Sequence, residues 1–402
     1  MQSLIPSGKM NWLEGFGFLL VSGIIYTTIK EQASWTSNLI TLTFIYTLYL
    51  YIKKYFCISP SFHRILITSI ILVFLNVTVS GFGDFNYYKK AIMYISTLML
   101  LIYSSSVHIS KKTACFAIAI NILIGVLYLT TYQQGFNVFE GEVLLTLNFS
   151  NPNQAGMFIL NTLLYILLPI SALQKPLKIL PITVLLVIII PLLISLNKVL
   201  ILTGCRSALM ALIVFLGLTI LDFVFGTRLK LRKWVMRFIA VAPFIFVFFY
   251  VTYASTITFD TSFGTENAGK TVLTRMKIWG PIIHDFFHYL IFGDYFGISN
   301  GTGMSQMHNT HLDIFASYGL VPLLLYMSLI TKVLWQSYKK ATSRFQRASI
   351  YAFIACMVIG TFEASFVAGS GGLFILTNGF ILLANCQIID ENTAGKLCLS
   401  KR

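Results

Sequence analysis

The sequence predicts an all-α, polytopic membrane protein of about twelve transmembrane helices forming one integral membrane domain over residues 1–402. Three observations carry this. Hydrophobic residues make up 56% of the chain and charged residues only 11%, with a mean hydropathy of +0.79, whereas soluble domains carry roughly one quarter charged residues. Apolar runs of about 20 residues, the length that crosses a bilayer as a helix, recur from one end of the chain to the other. A transmembrane barrel is excluded, because its alternating strands of roughly ten residues are missing.

Spans are expected at 12–29, 37–52, 65–80, 91–108, 113–131, 154–173, 179–197, 207–226, 236–253, 318–337, 348–362 and 371–387. The first run, WLEGFGFLLVSGIIYTTI, lacks a small-residue cleavage site and reads as a retained span rather than a signal peptide. The next four are marked by hydropathy alone. The sixth opens with NPNQAG and the eighth carries Arg206 at its start, while two histidines stand just before the tenth. The six cysteines are scattered without CxxC spacing, as small core residues would be.

A net charge of +15 raises the question of nucleic acid. Its distribution answers differently. With the N-terminus inside, 21 of the 29 basic residues fall on the cytoplasmic side, and the exceptions are Lys30, Lys89, Lys90, Lys198, Arg206, Lys270, Arg275 and Lys277. Lysine and arginine bias sets orientation, so both termini are expected in the cytoplasm.

One connection is long, an outward excursion at 254–317. Within it Val272, Met276, Trp279, Ile283, Phe286 and Leu290 recur every three or four residues, the pattern of an amphipathic helix at a membrane surface. Pro281 predicts a break after Gly280.

The residues suited to chemistry gather on that side. Arg206 stands at the start of a span, where a cation opposes the helix dipole unless an anion is bound; an arginine reaching lipid headgroups is the plainer alternative. Arg275 and Lys277 lie on the loop helix. His308 and His311 are three apart, hence neighbours on one helical face, and an imidazole serves as a general base near neutral pH. Neither they nor His284 and His288 have a third ligand at metal spacing. No close carboxylate pair and no glycine-rich nucleotide loop occur.

HNTHLDIFASYG fits H-N-x-x-L followed by six residues and Gly319, and this resembles the signature of the O-antigen ligase and polymerase superfamily. LTGCRSALMALIVF, TRMKIWGPIIHDFFHYLIFGDYFG and NFSNPNQAGMFIL are similar to further elements of that family, with Cys205 where serine commonly precedes the arginine. The resemblance implies a GT-C-like, metal-independent, inverting glycosyltransferase without a cofactor, in a bacterial cytoplasmic membrane. Its donor would be an oligosaccharide on undecaprenyl diphosphate, its acceptor a glycan or glycolipid, with membrane lipids and a chain-length regulator as further partners and no nucleic acid. By the same resemblance His308 is the catalytic base and Arg275 and Arg206 contact the diphosphate. Asn309, His311 and Lys277 are candidates for substrate binding, His311 with a structural role as its alternative. A polymerase of O-antigen or capsule repeat units is favoured over a ligase acting on lipid A core. A flippase for the same lipid is the rival from another class, although its paired midplane charges are missing.

Overall fold

The computed structural model describes residues 33–52, 59–81, 85–107, 109–129, 135–139, 142–147, 152–171, 190–225, 231–256, 266–294, 307–362 and 373–387. Helix accounts for 85% of it and strand for 4%, so the all-α class holds. The helices are α1 (Ala33–Ile52), α2 (Pro60–Gly81), α3 (Phe85–Ser106), α4 (Lys111–Leu129), α5 (Pro152–Ser171), α6 (Ile190–Leu202), α7 (Arg206–Phe225) and α8 (Lys233–Thr256). Then follow α9 (Glu266–His284), α10 (Phe286–Tyr289), α11 (Thr310–Tyr318), α12 (Leu320–Lys340), α13 (Arg344–Gly360) and α14 (Leu373–Ala384). The expected span at 12–29 lies outside the described residues, and α6 covers only the later part of 179–197.

Among the described residues five helices, α2, α5, α7, α8 and α12, are long and apolar enough to cross a membrane. Their outward faces keep that character. Ile213 and Phe223 on α7 are each 67% exposed and Phe249 on α8 is 69% exposed, which water would penalise and lipid does not.

The core forms where α13 is wrapped by α5, α7 and α14, while α12 packs against α2, α3 and α8. Polar ties set the register. Arg347 near the start of α13 grips Asp222 near the end of α7 through two bonds, Nε to Oδ1 at 2.7 Å and Nη2 to Oδ2 at 3.1 Å. Tyr351 donates to the same carboxylate at 3.1 Å. With these ends together, extensive contact between the two helices requires them to run antiparallel.

Two short sheets were not expected. β1 (Ile109–Ser110) pairs in parallel with β4 (Cys386–Gln387), and β2 (Phe136–Phe139) forms a hairpin with β3 (Glu142–Leu145). The hairpin touches α5 and α6, with Leu144 against Gly204. Of the cysteines, Cys205, Cys356 and Cys386 are buried, but Cys115 is exposed on α4.

The excursion departs from expectation at its proline. α9 runs through Pro281 to His284, and the break falls at Asp285. Proline frees one carbonyl of the preceding turn. Here Pro281 and Lys277 are both exposed, so that carbonyl lies on the open side and the helix need not end. His284 and His288 therefore sit on separate helices, and His288 Nε2 meets Asp294 Oδ2 at 3.0 Å. The inner face of α9, with Ile278, Trp279 and Ile282 buried, packs against α8.

Candidate functional site

Arg275 and Trp279 are four residues apart on α9 and so share one face. Both reach into the strand of chain ahead of α11. Trp279 Nε1 donates to Met307 O at 2.7 Å, and Arg275 Nη1 donates to His308 O at 2.9 Å. The same Nη1 donates to Phe362 O, just past α13, and the guanidinium stands 5.5 Å from the Trp279 ring centre. One arginine thus joins α9, the 307–309 turn and the end of α13.

His308 is not on the helix with His311. Its φ of +48° is left-handed, a conformation that costs a side-chain-bearing residue about 1–2 kcal/mol. Asn309 is the N-cap of α11, its Oδ1 accepting from Leu312 N at 2.8 Å. The expected neighbourhood of two histidines on one face is corrected accordingly: the cap places His308 outside α11, half-buried, and His311 inside it, 2% exposed.

Asn309 and His311 tie α11 to the backbone of α8 around Pro243. A proline inside α8 removes one rung of the ladder and disturbs the carbonyls of the turn before it. Ala240 O is met by His311 Nε2 at 2.8 Å, and Pro243 O by Asn309 Nδ2 at 3.2 Å. Asn309 Nδ2 also reaches Thr361 O at 2.8 Å. Asn309 is 0% exposed, so neither side chain lies where a sugar could touch it; both are ties between α11, α8 and α13. The Ala240 bond assigns the proton of neutral His311 to Nε2, leaving buried Nδ1 without a partner. Burial pushes its pKa down to about 4, with the Ala240 bond opposing.

Two glycines close the turn above these ties. Asp294 N donates to Ala316 O at 2.7 Å and Leu320 N to Leu290 O at 3.0 Å, bringing 290–294 against the α11–α12 junction. Gly319 has φ +90°, and a Cβ there would stand 2.3 Å from Ile291 O. Gly293 has φ +66°, and its Cβ would stand 2.6 Å from Ala316 O. Only glycine fits either position.

Arg206 begins α7 and is exposed. Its approach is fixed by the Thr203–Cys205 turn, where Gly204 has φ +64° and Thr203 Oγ1 donates to Leu200 O at 2.7 Å. Cys205 Sγ lies 3.7 Å from Asn153 O, and a Cβ on Gly156 would stand 2.3 Å from Cys205 Cβ. The NPNQAG and TGCRSAL stretches, separate in sequence, are therefore packed together; Asn148 to Asn151 lie outside the described residues.

The antiparallel pairing of α7 and α13 puts Arg206 on the Arg275 end of the molecule. From Asp222 back to Arg206 is about 24 Å of helix, and from Arg347 forward to Thr361 about 21 Å, at about 1.5 Å per residue. Lys277 is exposed on α9, turned from the cluster of buried ties. Among the described residues no three of His, Cys, Asp and Glu are grouped as metal ligands would be. A cavity of about 250 Å³, lined by Ser171, Thr219, Asp222 and Tyr351, lies at the other end of α7.

Sequence reasoning missed Trp279 as more than an apolar residue, although its position four after Arg275 is a usable signal. It also passed over Pro243, an interruption inside an apolar span. The chain matches no known protein-family model and no curated protein.

Proposed function

We propose that the chain is a polymerase of surface polysaccharide repeat units in a bacterial cytoplasmic membrane. In this reading it has twelve spans and a GT-C-like fold, with both termini in the cytoplasm. It passes glycan from undecaprenyl diphosphate to an acceptor sugar hydroxyl at the outer face, without a metal. The observation that supports it is the bond from Arg275 to the main chain of His308, which brings a cation to an imidazole-bearing residue 33 residues away in sequence. Arg206 belongs to the same end of the bundle by the helix pairing described above.

His308 takes the proton of the acceptor hydroxyl as its oxygen attacks the anomeric carbon. The bond from that carbon to the diphosphate breaks with its electron pair, and the configuration inverts. The positive charges of Arg275 and Arg206 stabilise the departing diphosphate, which is where preorganised charge gains most. Nη1 of Arg275 also holds the 308 carbonyl, so the group that orients the base carries the charge that acts on the leaving group.

A transporter would carry its ionisable residues near the midplane. The buried Asp222–Arg347 pair sits instead near the ends of α7 and α13.

The test is deletion of the gene followed by gel separation of the surface glycan. Loss of long chains, with a single repeat still attached, is the expected result. Accumulation of unattached lipid-linked polymer would assign the ligase reaction instead, and an unchanged glycan would remove both.

A further inference from the structure

At the end of the bundle away from Arg275 and His308, α2 and α8 begin and α12 finishes. Lys332 of α12 holds its Nζ 4.3 Å from the centre of the Phe62 ring, in the first turn of α2. That nitrogen is buried and has no hydrogen-bond partner. Two further cations lie on the neighbouring helix starts: Arg64, two residues beyond Phe62, and Lys233, the first residue of α8, whose approach is tied to α12 by the bond from Leu231 N to the Tyr338 hydroxyl at 3.4 Å. Among the described residues no carboxylate pairs with any of the three, since the acids that form ion pairs there, Asp222 and Asp294, are paired elsewhere.

This arrangement is unfavourable as it stands. A buried ammonium offers three N–H donors and is costly to leave without acceptors. The Phe62 ring face attracts the charge but accepts little of that hydrogen bonding. The dipoles of α2 and α8 both present their positive ends here, which adds to the cost. What relieves every one of these costs is an anion.

We propose that Lys332, Arg64 and Lys233 form a binding site for the phosphate group of an anionic lipid. Phosphate suits the geometry, because cations arriving from three helices can each meet a different oxygen, the lysines as point charges and the arginine as a fork. A lipid suits the surroundings. α2, α8 and α12 are all long and apolar enough to cross a membrane, and Trp234 and Phe238, one turn apart beside Lys233, are exposed apolar surface against which acyl chains fit. Basic residues near a membrane surface attract anionic headgroups.

The experiment uses the full chain purified in detergent and reads its thermal unfolding midpoint against added phosphatidylglycerol, phosphatidylcholine or inorganic phosphate. Wild type should be stabilised by phosphatidylglycerol over phosphatidylcholine. The concentration needed should rise about tenfold in each of Lys332→Met, Arg64→Gln and Lys233→Gln, the loss expected for one charge-assisted contact. Arg64 and Lys233 are exposed, so their variants keep the comparison intact if Lys332→Met fails to fold. Stabilisation by phosphatidylglycerol alone supports the lipid as source; stabilisation by inorganic phosphate that is lost in the variants supports the same site with a soluble ion. An identical response in wild type and all variants, or no response to either phosphate compound, overturns the proposal.

Discussion

Two arginines hold this molecule together in opposite ways. Arg347 is 9% exposed and spends its fork on a carboxylate, so charge cancels charge in the interior. Arg275 is half-buried, gives Nη1 to two main-chain carbonyls, and lies against an indole. Carbonyls are dipoles, so these two bonds orient the guanidinium through its N–H donors and not through charge pairing. The first arrangement fixes the register of two helices. The second fixes the shape of a turn and keeps a cation beside an imidazole-bearing residue.

The comparison is broken most severely at Arg347. Arg347→Met strands Asp222 as a buried unpaired carboxylate, and loss of one partner of a buried pair typically costs about 3–5 kcal/mol. Asp222→Leu combined with Arg347→Met should recover most of that loss, because no charge is left behind. Denaturant unfolding of wild type and the two variants checks the order. If the double variant is no better than Arg347→Met, the pair contributes something besides mutual neutralisation, the bond from Tyr351 being the nearest candidate.

Gly319→Ala attacks the opposite end with a single methyl group. The added Cβ would meet the Ile291 carbonyl at 2.3 Å in a left-handed backbone, so the 290–294 turn must separate from the α11–α12 junction. A loss of about 3 kcal/mol is expected from strain and the broken bonds together. The Leu320 amide, bonded to Leu290 O, should then exchange its hydrogen faster than amides near Arg347. Equal protection at both ends would mean that the turn adjusts without opening.

One pH response is centred on His311. His311 is neutral when folded, with a pKa near 4, against an ordinary value of 6.5. The unfolded chain therefore binds its proton first. The contribution is complete above about pH 6.5 and is lost as pH falls toward 4, by at most about 3 kcal/mol. His311→Gln should flatten this part of the stability profile while costing something at pH 7.5, where its bond to Ala240 O is weakened.

Helices were readable from the chain because length and hydropathy are local properties, and among the described residues five of them are long and apolar enough to be expected spans. The ties were less readable, for a physical reason. Arg275 and Trp279 bind carbonyl oxygens, and every residue has one, so no letter marks Met307, His308 or Phe362 as acceptors. Asp222 and Arg347 stand 125 residues apart and reveal themselves only when α7 meets α13. Asn309 is different. Asparagine ahead of Thr-His-Leu-Asp is a cap signal, and that signal alone separates His308 from His311. The glycines of the resembling pattern gain a reason too: Gly319 and Gly293 are where two stretches of backbone touch.

Arg275→Lys sharpens the contrast between the arginines. An ammonium is a compact point charge that lacks the planar face of a guanidinium, so the placement of Arg275 beside the Trp279 ring is not reproduced. The charge is kept and the geometry is lost, so stability should fall by about 1.5–3 kcal/mol, the worth of a hydrogen bond from a charged group. Glycan chain extension should fall much further. Near-normal extension would separate the shape of the turn from the reaction proposed for it.

The gentlest change asks most directly what His308 does. Asparagine adopts left-handed backbone more readily than most residues, and the bond from Arg275 goes to the main chain, which His308→Asn leaves in place. Stability should fall by about 1 kcal/mol, the ordinary cost of a single substitution. The imidazole is gone, however, and with it the base assigned to the acceptor hydroxyl, so long-chain glycan should disappear from a protein that still folds. Retained extension would assign His308 to the fold alone, and the proton of the acceptor hydroxyl would need another destination.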